Sequence, residues 1–182
     1  MTSGLGYATL HAMARNALLA NHRLYRACAG LSEAEYRAPR RAFFGSIHET
    51  LKHVLEVDLH YLALIEHGES SGSLDPADPR YANRDGLAAA QEAVDRRLLA
   101  MVAQRDEAAL SKPVRYTRPS GVACVNPLSS ILLHVFLHDV HHRGQVHDML
   151  SQTGVAPPQL DEFLLSEDAS LRDGEERALG LG

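Results

Sequence analysis

The amino-acid sequence predicts an all-α protein: a four-helix bundle with one long crossover and a small hairpin-like loop before the last long helix. Three observations predict it. Four segments carry apolar residues at helical spacing, each bounded by a capping or terminating residue. One short stretch, Ser111–Asn126, reads as β-prone, too little to build a sheet-based fold. The chain is 45% hydrophobic but only 5% aromatic and has no tryptophan, so Leu, Val, Ala and Ile must fill the core. At 182 residues the length fits one domain spanning 1–182.

The elements follow in order. Tyr7–Ala29 places Leu10, Ala14, Ala17, Leu18 and Leu24 at helical spacing, and Gly30 stops that helix. Arg37–Gly45 is a connection carrying Pro39, Phe43 and Phe44. Ser46 is a good N-cap, with Glu49 three residues on to complete a capping box, so a second helix spans Ile47–Glu66. His67–Arg84, containing "SLDPADP", is an irregular crossover. Asp85 caps a third helix over Gly86–Gln104. "PVRYTRPSGVAC" holds two β-prone runs around a Pro-Ser-Gly turn. Pro127 suits the first turn of a fourth helix that reaches Gln152 and ends before Gly154. "VAPPQLDEFLL" brings a proline break and one more short helix, and the polar, glycine-rich last twelve residues are expected to fray.

Composition excludes several classes of function. Eighteen basic against 23 acidic residues leave a net charge of −5, without the clustered Lys and Arg that a nucleic-acid backbone demands. No apolar run approaches the roughly 20 residues of a membrane span, and the N-terminus lacks the pattern of a signal peptide. Cys28 and Cys124 are too few for a disulfide scaffold and lack CxxC spacing, Cys28 reading as a small buried residue and Cys124 as a loop position. The expected compartment is the cytoplasm.

The chemistry concentrates in "LLHVFLHDVHHRGQVHDML", residues 132–150, which holds five of the chain's 11 histidines. Positions four apart on a helix sit about 40° from each other, so His134, His138 and His142 form a stripe. His141 and Gln145 lie on it, and His147 faces elsewhere as a surface residue. Two imidazoles at i and i+4 can reach one metal ion. Spacing leaves the pair open among His134 with His138, His138 with His142, and His138 with His141. A lone helical histidine is usually only solvated or hydrogen-bonded. Here Ile131, Val135, Phe136, Leu137, Val140, Val146 and Leu150 frame the stripe, and buried imidazoles need partners. A third ligand must then come from another helix. The second helix offers several candidates. His53 lies at the edge of its apolar arc, which favours it, and His48 borders the far edge and stays possible. Asp58 falls inside the arc. That arc covers more than half the circumference, which suggests two buried faces, one of them against a partner chain in a homodimer.

Together, "NHRLYRACAGLSEAEYRAPRRAFFGSIHETLKHVLEVD" and "PLSSILLHVFLHDVHHRGQVHDMLSQTG" resemble the DinB/YfiT-like family of small bacterial metal-binding bundles. The shared pattern is F-F-G-S-I-x-x-T-L-x-H-x4-D, a hairpin-like loop, then H-x3-H-x3-H-R-G-Q, over roughly residues 7–165. The resemblance implies a four-helix bundle, usually dimeric, holding one divalent metal of nickel or zinc type on three histidines. Carried over by position these are His53, His138 and His142, leaving His134 and His141 as neighbours. Within the R-G-Q, Arg143 reads as a structural salt-bridge partner rather than a substrate contact. Gly144 reads as a site of close helix packing, since glycine in a helix costs about 1 kcal/mol relative to alanine.

The family includes transferases and isomerases that use a low-molecular-weight thiol, and proposed hydrolases. The implied function is therefore a metal-dependent enzyme, of thiol-dependent transferase or hydrolase type, acting on a small molecule. Glu49, one turn before His53, is a weak candidate for a catalytic base; its plainer reading is the capping box. The competing function is a non-catalytic stress or binding protein that metal only stiffens.

Overall fold

The computed structural model describes residues 5–68, 78–118, 120–161 and 165–181. It is mostly helical, with one two-stranded antiparallel sheet. Helix α1 spans Leu5–Cys28, α3 Ile47–His67, α4 Arg84–Ala103 and α6 Leu128–Ser151. Helix α1 packs on α4 and α6, and α3 packs on the same two. These contacts enclose a shared core of Leu24, Leu51, Leu55, Leu98, Leu132, Val135 and Phe136. Aliphatic side chains dominate it, as the scarcity of aromatics requires.

The short elements refine the sequence reading. Helix α2, Glu33–Arg37, lies between α1 and the loop to α3. The full capping box belongs here: Ser32 Oγ accepts from the Glu35 N–H, and the Glu35 carboxylate accepts from the Ser32 N–H. At α3, Ser46 caps the Glu49 N–H at 3.1 Å, so the cap is as expected, while the Glu49 carboxylate lies toward His48 at 3.7 Å. Gly68 closes α3 in the left-handed conformation, φ 74°. Asn83, not Asp85, caps α4, because its side chain accepts from the Gly86 N–H at 2.8 Å. A further one-turn helix, α5, covers Glu107–Leu110.

The predicted hairpin is present as β1, Pro113–Thr117, paired with β2, Ala123–Pro127. Tyr116 joins Leu64 and Ile131 in a small cluster that seats the hairpin on α3 and α6. Cys124 therefore lies in a strand packed against that cluster, not in a loop. Cys28 is fully buried, and burial pushes its thiol up to about 12.

Three expectations are corrected or bounded. The C-terminus does not fray: α7 covers Ala169–Ala178, and Leu179 and Leu181 bury themselves against Leu18, Leu19 and Ala20. Arg23 and Arg15 on α1 pair with Glu175 and Glu176, at 2.5 and 3.1 Å, and fasten it. Two leucines outweigh a polar local composition once a neighbouring helix covers them. The segment "VAPPQLDEFLL" carries no helix over residues 155–161, and 162–164 lie outside the described residues. Most of the "SLDPADP" crossover also lies outside them; its end forms a 3₁₀ turn, Pro79–Tyr81.

The wide apolar arc of α3 is filled within the chain. Leu51, Leu55 and Leu62 enter the main core and Leu64 the hairpin cluster. The large exposed apolar side chains of the helical core lie instead on α6: Leu133, Leu137 and Val140. No helix among the described residues is long and apolar enough to cross a membrane.

Candidate metal centre

Helices α3 and α6 bring His53, His138 and His142 together, with one donor atom from each within 4.8 Å of the others. His53 Nε2 and His138 Nε2 lie 3.1 Å apart, although 85 residues separate them in sequence. The ring centroids of His53 and His142 are 4.8 Å apart, and those of His138 and His142 4.3 Å. His142 is buried, and His53 and His138 are half-buried.

The loop before α3 shapes one wall. Gly45, at φ 76°, supplies the left-handed turn that precedes the Ser46 cap. Phe44 then stacks on His53 at 4.1 Å between centroids and meets His142 edge-on at 5.5 Å. Phe43, beside it, is 85% exposed.

Electrostatics favour the neutral form of His53 and His142. Burial first, then the neighbouring His138 and His142, hold His53 down at about 4. Burial lowers His142 too, opposed by its hydrogen bond to Gln145. A neutral imidazole offers a lone pair, the form a metal requires. Nitrogen ligands of one four-coordinate ion, each about 2.0–2.1 Å from it, stand roughly 3.3–3.4 Å apart. The 3.1 Å between His53 and His138 is close to that spacing. The donor set fits a divalent ion.

The remaining candidates are distributed around this cluster. His134 is exposed, 5.1 Å from the Tyr61 ring and 6.4 Å from His138. His141 is also exposed and reaches Gln145. His48 is buried against Tyr36, edge-on at 5.5 Å, and is no part of the cluster. Glu49 keeps half its side chain in solvent, beside His48. His147 is half-buried rather than on the surface, and shares a cavity with Val140, Leu160 and Gly144. Gly144 itself overturns the packing expectation. It is exposed, and a Cβ there would meet nothing within 4 Å among the described residues.

A feature that residue spacing did not announce lies behind the histidines. Asp58, Asp95 and Asp139 are all buried. Gln91 Nε2 donates to Asp58 at 2.7 Å and to Asp95 at 3.0 Å, and Asn21 donates to both Asp95 oxygens. Arg143, also buried, faces Asp139 at 3.8 Å and donates to Asn16 and Asn21. Its structural reading is the one the geometry supports. Burial, then the charges of Asp139 and Asp95, raise Asp58 well above the ordinary carboxylate range. Burial and Asp139 raise Asp95 to about 7, against the pull of Gln91, Asn21 and Arg143. The available signal was Asp58 inside an apolar arc, since a carboxylate there must find donors.

A mostly helical protein with three convergent imidazoles belongs to the class that could hold one divalent metal between helices. The comparisons agree with that class. The DinB family model matches residues 7–177, and the chain belongs to the DinB family. It is similar to "Protein DinB" of Bacillus subtilis (strain 168), 26% identical over 148 residues, covering 78% of this chain and 84% of the relative.

Proposed function

We propose that the protein is a metal-dependent enzyme of thiol-dependent transferase or hydrolase type, acting on a small molecule at a divalent metal held by His53, His138 and His142. The observation that carries the reading is the meeting of these three imidazoles across α3 and α6. The four long helices form the bundle that holds them, in one domain. Nickel or zinc suits the all-nitrogen donor set.

When bound, such an ion supplies Lewis acidity that lowers the pKa of a coordinated water or thiol. The chain's own part is positional. The three histidines fix the centre without adding negative charge, so its full positive charge remains available to an anionic thiolate or hydroxide. Phe44 holds His53 in its rotamer and excludes water from one side. Phe43 offers an exposed apolar surface beside it for the carbon skeleton of a substrate. Glu49 remains a candidate base only if it turns from His48. A homodimer is part of the proposal, supported by the outward row Leu133, Leu137 and Val140 on α6.

Elemental analysis of untagged protein tests the metal. About one equivalent of nickel or zinc is expected in the wild type, and a near-complete loss in His138→Ala. A metal-free wild type that also binds none when titrated would end the reading. A screen of thiols with electrophilic partners, and of ester and amide substrates, tests the catalytic half.

A further inference from the structure

One histidine of the cluster has its outer nitrogen occupied by a well-formed hydrogen bond. His142 Nδ1 lies 2.8 Å from Gln145 Oε1, and Gln145 Nε2 lies 3.0 Å from His141 Nε2. The three side chains sit at i, i+1 and i+4 of one rigid helix, so α6 alone sets their geometry. Gln145 is half-buried and His141 exposed, and the chain of contacts runs from the centre to solvent.

We infer that Gln145 is a positioning residue that selects the metal-binding tautomer of His142, and that His141 orients Gln145. This rests on the proposed metal site. A neutral imidazole carries one proton, and the nitrogen without it is the ligand. Free histidine prefers the proton on Nε2, which would block that nitrogen toward the cluster. An amide oxygen at Nδ1 reverses the preference: it accepts the Nδ1 proton and leaves the Nε2 lone pair open. The amide must keep its oxygen inward for this to work. A flipped Gln145 would donate to Nδ1 and drive the proton back to Nε2. His141 opposes the flip when its own proton sits on Nδ1, because its Nε2, 3.0 Å from the Gln145 amide nitrogen, then accepts from it. The glutamine of the R-G-Q pattern thereby acquires a reason that its exposure alone would not give it. Outer partners of this kind typically matter by about 10–100-fold in metal affinity.

The test compares Gln145→Leu, Gln145→Glu and His141→Ala with the wild type. Each is read by Co(II) titration, the visible Co(II) spectrum, and ¹⁵N shifts of His142 in metal-free protein. Gln145→Leu is expected to weaken Co(II) about 10–100-fold, to shift the spectrum, and to move the His142 proton toward Nε2. Gln145→Glu keeps an acceptor at Nδ1 and should hold affinity within a few-fold of the wild type. His141→Ala should fall between them. Thermal melting of the metal-free variants controls for folding. Unchanged affinity and spectrum in Gln145→Leu, or an equal loss in Gln145→Glu, would overturn the inference. A wild type that binds no Co(II) would instead overturn the metal reading, and the metal-free ¹⁵N shifts would still decide whether Gln145 selects the tautomer.

Discussion

Helices α3 and α6 each contribute to two polar clusters, and the clusters are built in opposite ways. His53 and His138 face a half-open centre, whereas Asp58 and Asp139, from the same two helices, are entirely buried. On the histidine side the ring nitrogens converge, with Phe44 stacked on His53 and Gln145 hydrogen-bonded to His142. On the carboxylate side the Gln91 and Asn21 amides donate to Asp58 and Asp95, while Asp139 has no hydrogen-bond donor among the described residues and faces the Arg143 guanidinium at 3.8 Å. The first arrangement brings one ring nitrogen from each of three histidines within 4.8 Å of the others. The second spends its donors internally. Both are polar inclusions in an aliphatic core, but only the first faces a half-open centre. The general lesson is that burial of ionisable groups does not by itself mark a site; ligand nitrogens converging on a half-open centre do.

The largest expected effect that separates the two lies on the carboxylate side. Arg143→Ala strands Asp139 in the interior, and loss of one partner of a buried pair costs about 3–5 kcal/mol. Urea unfolding of metal-free protein measures it. His138→Ala should cost far less in the same metal-free measurement while abolishing metal binding. Equal losses in the two variants would break the contrast.

The next effect is on pH dependence. Asp95 has its folded pKa raised from 3.8 to about 7, so its stabilising contribution is whole below 3.8 and is lost as pH rises toward 7. Asp95→Asn removes that slope. The melting temperature of the variant, relative to wild type, should therefore be more favourable at about pH 8 than at about pH 5. The same difference at both pH values would show that Asp95 is ionised throughout and that the amides hold it as a carboxylate.

The smallest effect sharpens the histidine side. Phe44→Leu removes the ring stacked on His53 and should lower metal-free stability by about 0.5–1.5 kcal/mol. No change at all would mean that helix packing alone sets the His53 rotamer.

Much of this molecule is determined by local sequence. The long helices follow from 3.6-residue periodicity and their caps, and Ser46 starts α3 at the residue expected. The hairpin follows from its turn residues, and the stripe of His138 and His142 follows from a spacing of four. These are properties of ten to twenty consecutive residues, which short-range geometry specifies. The family resemblance named His53 as the third member; spacing alone favoured it over His48 without excluding the latter. Only tertiary structure decided that His48 turns to Tyr36 while His53 meets His138, 85 residues away. It also decided that Asp58 and Asp95 share the Gln91 donor with Asp139 buried nearby, that Gly144 makes no close packing among the described residues, and that Leu179 and Leu181 dock a tail whose composition reads as loose. Each of these depends on which faces of distant helices are brought together. A one-dimensional pattern shows that a face exists, and only packing shows what lies opposite it.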